Sequence, residues 1–440
     1  MSTETLVELL RNETSTPRWN LATRFAFRFC CVYFVLYCLS NQILTSLLAI
    51  PGVDLPDPSS IPPLRPMITW TATHVFRVSH PLVFTGSGSG DKTVDFVLAF
   101  CLLVIALFVS VVWSLLAHAP SHPRLYKAFR VFLRFALASQ MFVYGFDKAF
   151  PLQMPFPRLF TLIEPFGNLS PMGVLWSSVG ASPPYEIAVG CAEILGGLLL
   201  ILPRTTTLGA MVSLADVVYV FLLNMTYDVP VKLFSLHLVL ICLILLAPEF
   251  RRLAAFFVLN RPIQPVAEIS LFQSRRARRI ALAAQMAFGL WLVAMNLYGV
   301  REGWHSYGPG APHSPLYGIW NVEQFTLDGQ THPPLLTDSD RWRRVIFDAP
   351  TLMVLDRMND ARSYDRAAID EGKHTLQLSD RADPKWKAAF TYTRPAADQL
   401  SLDGTLNGHP ARLQLRLFDA HQFRLEDRGF HWIQEYPFNR

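Results

Sequence analysis

The sequence predicts a mainly α-helical membrane protein: a polytopic bundle of about seven spans, followed by a small antiparallel β domain, barrel or sandwich. Of its 440 residues 51% are hydrophobic and only 17% charged, which is the composition of an integral membrane protein. Several stretches of roughly 20 residues are almost free of charge, long enough to cross a bilayer. After residue 340 the apolar residues instead alternate with polar ones, as in β-strands.

Seven segments meet the length and hydropathy expected of membrane spans. The third carries Arg134, which we expect to extend toward the nearer membrane surface. The first is interrupted by Ser40, Asn41 and Gln42. The predicted spans are roughly 25–49, 94–117, 129–146, 185–202, 207–224, 231–247 and 280–300.

Lysine and arginine cluster in the N-terminal tail and in the second and sixth loops, which predicts that these segments are cytoplasmic. The early acidic residues and the lack of a cleavage site argue against a removable signal peptide. The predicted organisation is a cytoplasmic N-tail 1–24, N-terminal spans with a long outer loop 25–129, a helical core 130–261, a basic cytoplasmic loop and last span 262–300, a connector 301–339 and an extracytoplasmic β domain 340–440. In a Gram-negative bacterium that domain would be periplasmic, and the helices would lie in the inner membrane.

Two outer segments need separate interpretation. The stretch TGSGSGDKT resembles a phosphate-binding loop, but Asp91 replaces the glycine that should precede the lysine and no strand comes before it, so we predict a flexible linker. The apolar segment 147–184 is predicted to form short helices at the membrane surface that cover the bundle.

The final hundred residues contain repeated strand patterns such as WRRVIFD, TLMVLDR and KHTLQLSD. Asn407-Gly408 lies between two such runs and predicts a tight hairpin. The stretch RGFHWIQE near the C-terminus is predicted to be a terminal strand packed on this domain.

Ionisable residues inside predicted spans mark the candidate site. Each charge at the bilayer centre costs about 2.5–3.5 kcal/mol, so these groups should face one another or a wet cavity inside the bundle. Gly190, Glu193 and Gly197 share one helix face, and small residues let a neighbouring helix approach closely. The candidate catalytic residues are Glu193, Asp216, Lys232 and His237, and Tyr144, Lys148, Tyr227 and Asp228 are candidates for the pocket lining or its mouth.

Each of these residues also has a purely structural interpretation. Glu193 and Asp216 could lock helix packing, Asp228 and Lys232 could form an ordinary interfacial ion pair, and His237 could be a hydrogen-bonded core histidine. An acid, a base and a phenol at graded depth are the parts of a proton path, or of a pocket that protonates a reduced quinone.

The six cysteines all lie in predicted spans, with no C-x-x-C and no zinc spacing, so the sequence predicts no metal site. It contains no recognisable haem, flavin or iron–sulfur motif, and it leaves the cofactor open, with a quinone as one candidate. The net charge of +5 lies beside apolar segments, which indicates a membrane surface and not nucleic acid.

An ordered set of segments resembles the membrane core of DoxX-like proteins: YGFDKAFPLQM, SPMGVLWSSVGASPPYE, AEILGGLLLILPRTTTLG, YDVPVKLFSLHL and APEFRRLAAFFVLNR, over about 130–261. The tail is similar to the extra domain of longer bacterial members. The resemblance implies a helical bundle related to subunits of thiosulfate:quinone oxidoreductase and to membrane partners in oxidative-stress complexes.

Three functional hypotheses follow. The first is a redox-linked component, a subunit or partner of an oxidoreductase, whose bundle binds a quinone-like lipid and whose β domain receives a partner or substrate. The second is a non-enzymatic scaffold that displays the β domain, and the third is a conductor of protons or small solutes. All three place the chain in a lipid bilayer, and nothing in the sequence specifies an oligomeric state.

Overall fold

A computed structural model describes residues 19–53, 55–117, 119–262, 271–380, 383 and 385–439. Most of the predicted N-tail therefore lies outside the described residues. The chain divides into two compact units. The first comprises Met1–Gln153 and Pro184–Glu302, and the second comprises Met154–Pro183 and Gly303–Arg440.

The first unit is a bundle of helices. Its described helices are α1 Leu21–Leu39, α2 Gln42–Leu47, α3 Leu64–His74, α4 Thr93–Leu116, α5 Pro123–Ala149, α8 Pro183–Ile201, α9 Thr206–Thr226, α10 Lys232–Leu246, α11 Phe250–Phe257 and α12 Arg275–Ser306. Helices α6 Leu159–Leu162, α7 Pro171–Gly180 and α13 Arg424–Asp427 belong to the second unit.

Six helical segments among the described residues are long and apolar enough to cross a membrane: Leu21–Leu39, Thr93–Leu116, Pro183–Ile201, Pro203–Thr226, Lys232–Phe257 and Arg275–Ser306. Helix α5 contains the third predicted span but is not among the six, and six charged residues lie along its length. The seven-span count therefore stays a prediction. The first predicted span ends early, since the chain turns at Ser40 and Asn41 caps the separate helix α2.

Helix α5 runs through the core of the bundle, where its residues from Leu133 to Phe142 are all buried. Arg134 does not extend toward the membrane surface as expected, because its side chain is only 4% exposed. Its guanidinium donates to the carbonyl oxygens of Leu200 and Ile201, both at 2.8 Å. A cation thus satisfies carbonyls at the C-terminus of α8, where the helix dipole also favours positive charge.

The segment predicted to be a flexible linker contacts the N-terminus of α10. Asp91 accepts hydrogen bonds from the backbone N–H groups of Lys232 and Leu233, both at 2.9 Å. The N–H of Gly90 donates to the carbonyl of Pro230 at 2.8 Å. Because the first N–H groups of a helix have no partner within it, Asp91 acts as the N-terminal cap of α10 from a distant part of the chain.

The second unit is built on an antiparallel sheet. Its described strands are β1 Gly318–Leu327, β2 Gln330–Thr331, β3 Trp342–Phe347, β4 Leu352–Arg357, β5 Arg362–Asp370, β6 Thr375–Asp380, β7 Lys387–Ala396, β8 Gln399–Leu406 and β9 His409–Phe418. The short β2 pairs only with β1 among the described strands, β1 pairs with β3, and from β3 to β9 each strand pairs with the next. In addition, β1 pairs with β9. This last pairing closes eight strands into a barrel, so the sandwich alternative is excluded.

The barrel interior is filled by side chains rather than open. Trp320, Phe325, Trp342, Phe347 and Leu376 are almost fully buried in its core. Eight strands enclose an interior just wide enough for such packing. The predicted hairpin is confirmed: Asn407 and Gly408 join β8 to β9, with φ of 52° and 87°. Both angles lie in the left-handed region that a type I′ turn requires.

The β domain begins earlier than predicted, because β1 and β2 lie within the segment 301–339 that we interpreted as a connector. In β1 the pairing with β9 shifts between Val322 and Gln324. A bulge of this kind inserts an extra residue and breaks the two-residue alternation. The first strand is therefore hard to recognise in the sequence.

The segment Met154–Pro183 belongs to the barrel unit and not, as expected, to the bundle. Helix α6 packs against the outer barrel surface, where Leu159 joins Ile319, Ile346 and Val354 in one apolar cluster. Arg362 of β5 donates to the carbonyl of Phe160 at 3.1 Å and pairs with Glu164. The same guanidinium donates to both carboxylate oxygens of Asp356, at 2.6 and 3.0 Å.

The C-terminal stretch RGFHWIQE does not form the predicted terminal strand. Trp432 is 91% exposed and Tyr436 is 85% exposed. Arg428 contacts the ring of Phe438 with its guanidinium 4.4 Å from the ring centre. The prediction was wrong because β1, from an earlier part of the chain, already pairs with the last strand, β9. No barrel edge is left for this stretch to join.

Candidate functional site

A buried cluster of ionisable groups lies between α5, α8 and α9. The Nζ atom of Lys148 lies 2.7 Å from Oε1 and 2.9 Å from Oε2 of Glu193, and both side chains are almost fully buried. Asp216 of α9 interacts electrostatically with Glu193, and its Oδ2 atom is buried with no hydrogen-bond partner among the described residues. The cluster therefore holds one ammonium group beside two carboxyl groups.

Glycines on one face of α8 bring the helices close enough for this contact. A Cβ at Gly190 would lie 2.4 Å from the backbone nitrogen of Ala149, and one at Gly197 would lie 2.7 Å from the ring of Phe142. Neither space admits a side chain. Helices α5 and α8 thus meet backbone to backbone, as the spacing of Gly190, Glu193 and Gly197 predicts.

Lys232 does not join this cluster but pairs with Asp228, the structural interpretation that the sequence left open. Its Nζ atom lies 2.8 Å from Oδ1 of Asp228 and 3.7 Å from Oδ2 of Asp91. Asp228 is exposed, and its positive φ of 54° forms the turn into α10. Tyr227 precedes this turn and is half-buried. The structure therefore divides the candidate residues into a buried cluster and a separate ion pair at one end of α10.

His237 forms a third group, with tyrosines from α1. Its Nδ1 atom lies 2.7 Å from the carbonyl oxygen of Leu233, which can only accept a hydrogen bond. The proton is therefore on Nδ1, and Nε2 accepts from the Tyr33 hydroxyl at 2.7 Å when the ring is neutral. The ring of Tyr37 stacks on the imidazole with centres 3.8 Å apart. The histidine is thus a hydrogen-bonded core residue, the structural interpretation that the sequence left open.

A cavity of about 370 Å³ lies beside Tyr37 and Tyr144. Its wall includes Tyr37, Gln42, Asp57, Ser59, Asp95 and Tyr144. The side-chain amide of Gln42 donates to the Tyr144 hydroxyl at 2.8 Å. The Nζ atom of Lys148 lies 5.6 Å from the centre of the Tyr144 ring, so this tyrosine stands between the cavity and the buried cluster. The volume falls at the lower end of the range for small-molecule sites.

Several participants were missed by reasoning from the sequence. Tyr33 and Tyr37 lie four residues apart on one face of α1, a signal that is common among aromatic core residues and therefore weak. Glu186, one turn before Gly190 on α8, is fully buried. The charge of Glu186 within an apolar segment was an available signal.

Among the described residues, no group of three or more His, Cys, Asp or Glu side chains is placed to hold a metal ion. In the β domain, His332 instead pairs with Asp338, with Nδ1 and Oδ2 2.7 Å apart. The hydrogen bond from His332, together with the N–H groups of Asp340 and Arg341, lowers the pKa of Asp338 below its usual value. Burial raises the pKa of Asp348, which lies before β4.

Comparison with known proteins gives one informative match. No family model matches the chain, and no solved structure is significantly similar to it. The chain is 33% identical over 138 residues to a protein of Bacillus subtilis (strain 168) described as the uncharacterized protein YwoB. The alignment covers 79% of that protein. The chain belongs to the YwoB family.

The YwoB match covers 29% of this chain, so most of the chain lies outside it. The description of YwoB names no activity. Family membership therefore brings no substrate to the chain, and the chemistry has to be argued from the site. The apolar helices and the C-terminal barrel fit a membrane protein with a β domain.

Proposed function

We propose that this chain is a DoxX-like component of a quinone-linked redox reaction, in which the bundle supplies protons. The observation that carries the proposal is the contact of Lys148, Glu193 and Asp216 inside an apolar bundle. Ionisable groups at membrane depth are costly, and in membrane proteins they mark proton paths and substrate sites by default. Two carboxyl groups that share one proton can release it and take it up again.

The chemistry assigned to the chain is limited to protons. Reduction of a quinone consumes two electrons and two protons, and we assign the electrons to a partner subunit or a small reductant. We assign one proton to Glu193 and Asp216 together, and Lys148 balances the remaining negative charge. Asp216 is only partly buried, so it provides the exchange point of the cluster. The resemblance to DoxX-like segments over 130–261 supports the assignment, because all three residues lie in that region.

The proposed topology has seven spans in a bacterial inner membrane. Helix α5 has 27 residues and is about 40 Å long at 1.5 Å per residue, which exceeds the roughly 30 Å hydrocarbon layer. Apart from the buried Arg134, its charges lie near its two ends, at residues 124–130 and 147–148. With α5 counted, the basic loops are cytoplasmic and the barrel is extracytoplasmic, where it would receive a partner protein. Alkaline phosphatase fused after residue 439 should be active, whereas a fluorescent protein fused there should be dark.

One observation favours the scaffold as a second candidate function. The Lys148–Glu193 ion pair joins the same two helices that Gly190 and Gly197 bring into backbone contact. The cluster could therefore serve only to lock α5 against α8. In that case the charges should be replaceable by apolar residues with no effect beyond protein abundance.

The test compares the quinone pool in membranes of a host strain that lacks its own copy of the protein. The strain is complemented with the wild type, with Asp216→Asn or with Glu193→Gln, and the quinol-to-quinone ratio is measured per mole of protein. We expect the wild type to shift the ratio and both variants to lose at least 80% of the shift. Ser114→Ala is the control, because its hydroxyl donates to the carbonyl of Ser110 and, within the described residues, to no group of the cluster.

Two outcomes contradict the proposal. If the wild type does not move the ratio, the redox role is wrong. If Asp216→Asn and Glu193→Gln restore the ratio in proportion to their abundance, the cluster is a structural lock and the scaffold function is correct.

A further inference from the structure

The cavity beside Tyr144 has polar atoms that the protein leaves unsatisfied. Asn41 and Ser59 both belong to its wall. The Nδ2 atom of Asn41 and the Oγ atom of Ser59 are buried without a hydrogen-bond partner among the described residues. Ser59 is 98% buried, since its relative exposure is only 2%. A buried polar group without a partner costs about 1–3 kcal/mol, so each of these atoms calls for a bound molecule.

The orientation of the Asn41 amide is fixed by its role as a helix cap. Its Oδ1 atom accepts from the N–H of Ile43 at 2.9 Å, so the unpartnered atom is the NH₂ group. An NH₂ group can only donate. The Tyr37 hydroxyl, also in the wall, makes no hydrogen bond within the described part of the chain. The Asn41 amide therefore needs an oxygen acceptor on a ligand, and the Ser59 and Tyr37 hydroxyls can donate to a second one.

The charges around the cavity select against anions. Asp57 and Asp95 contribute two carboxylates, and Lys92 contributes one ammonium group whose Nζ lies 3.7 Å from Asp95. The lining thus has one negative charge more than positive charge. The aromatic rings of Tyr37, Tyr144 and Phe234 form its apolar part.

We infer that this cavity binds a small uncharged molecule in which an apolar ring or short chain carries two or more acceptor oxygens. Asn41 and Ser59 donate to these oxygens, and the tyrosine rings pack against the apolar part. The segment around Gly90 closes one side, because its N–H is bonded to the carbonyl of Pro230. The site goes beyond the proposed redox role, since recognition here requires no electron transfer.

The test uses three probes that share a benzene ring. Para-diacetylbenzene is uncharged and carries two carbonyl oxygens, para-diethylbenzene lacks the oxygens, and terephthalate carries two negative charges. Binding to the full chain in mild detergent is measured by equilibrium dialysis, with partition into empty micelles subtracted. We expect saturable binding of one para-diacetylbenzene per protein, and at least ten-fold weaker binding of the other two probes.

Two variants assign the binding to this cavity. Asn41→Asp keeps the cap of α2 but replaces the donor by an acceptor, and Ser59→Ala removes a hydroxyl that has no partner. We expect each to weaken para-diacetylbenzene binding about ten-fold, which corresponds to the loss of roughly one hydrogen bond. Ser59→Ala should fold normally, because removing an unsatisfied buried group does not destabilise the protein. Ser114→Ala serves as the control and should bind like the wild type.

Equal binding of para-diacetylbenzene and para-diethylbenzene would show that the cavity binds through apolar contacts alone, and would overturn the inference. Absence of saturable binding in the wild type would show a hydrated void and would also overturn it. Failure of this test leaves the quinone-pool result unaffected, because neither Glu193 nor Asp216 lines the cavity.

Discussion

Lys148 Nζ contacts both carboxylate oxygens of Glu193, although 45 positions separate the two residues in the sequence. The sequence predicted that Glu193, Asp216 and Lys232 would face one another or a wet cavity. It placed Lys148 only among the residues of the pocket or its mouth. The observed partner comes from α5, a helix whose charges made it the least typical of the predicted spans. The contact joins the two helices that pack most closely through glycines.

Replacing one residue of the Lys148–Glu193 pair should lower the free energy of unfolding more than replacing both. Lys148→Met leaves the carboxyl groups of Glu193 and Asp216 buried without their cation, and we expect the free energy of unfolding to fall by about 3–5 kcal/mol. The double variant Lys148→Met/Glu193→Met should recover most of that loss, since apolar residues replace the buried ion pair at little cost. Equilibrium unfolding in mixed micelles measures both. A double variant as unstable as the sum of the single variants would contradict this account.

The contribution of the Asp91 cap to the free energy of unfolding should be measurable in the same assay. Asp91→Ala removes the acceptor for the N–H groups of Lys232 and Leu233, and we expect a loss of about 1 kcal/mol. Asp91→Asn should retain most of the stability, because asparagine is also a good cap. Asp228→Asn is the matched control: it weakens an exposed pair with Lys232 and keeps a residue that tolerates positive φ. A larger effect from the control than from Asp91→Ala would rule out the cap.

Arg362 should hold α6 on the barrel surface. Arg362→Ala removes the donors to the Phe160 carbonyl and the ion pair with Glu164. We expect faster hydrogen–deuterium exchange in residues 158–164, measured on the full chain by mass spectrometry. Arg412→Ala is the control, because its pair with Asp403 is exposed and surface pairs contribute little. Unchanged exchange in Arg362→Ala would mean that the apolar contacts of Leu159 suffice.

Acid should weaken the β domain through Asp338. Its pKa is lowered in the folded protein by the hydrogen bond from His332, so the unfolded chain binds the proton more readily. The stability that Asp338 contributes is therefore complete above its unfolded pKa of about 4, and is lost as the pH falls through the lower folded value.

Asp338→Asn should consequently be less stable than the wild type at pH 5–6, and the difference should shrink below about pH 4. Exchange of residues 332–342 across this pH range provides the measurement, because Asp338 also accepts from the N–H groups of Asp340 and Arg341. A stability difference between Asp338→Asn and the wild type that grows toward low pH would contradict this role of Asp338.

The local pattern of the sequence was sufficient for the class of many elements, although it missed β1 and wrongly predicted a terminal strand at RGFHWIQE. Charge-free stretches such as Phe96–Ala117 predict apolar helices because backbone groups in lipid must be bonded within the segment. The pair Asn407-Gly408 predicts its hairpin because few other residues adopt positive φ at both positions. Gly190 and Gly197 indicated the packing face of α8 for a similar steric reason.

Only the tertiary structure decided which of these elements meet. Lys148 and Glu193, Tyr33 and His237, and Asp91 and the start of α10 are each brought together across 45 to 204 residues, and periodicity carries no information over such separations. The closure of the barrel likewise depends on a pairing of β1 with β9 that a bulge conceals in the sequence. A side chain's neighbours are selected by the packing of whole helices and strands, and that packing is a property of the complete chain.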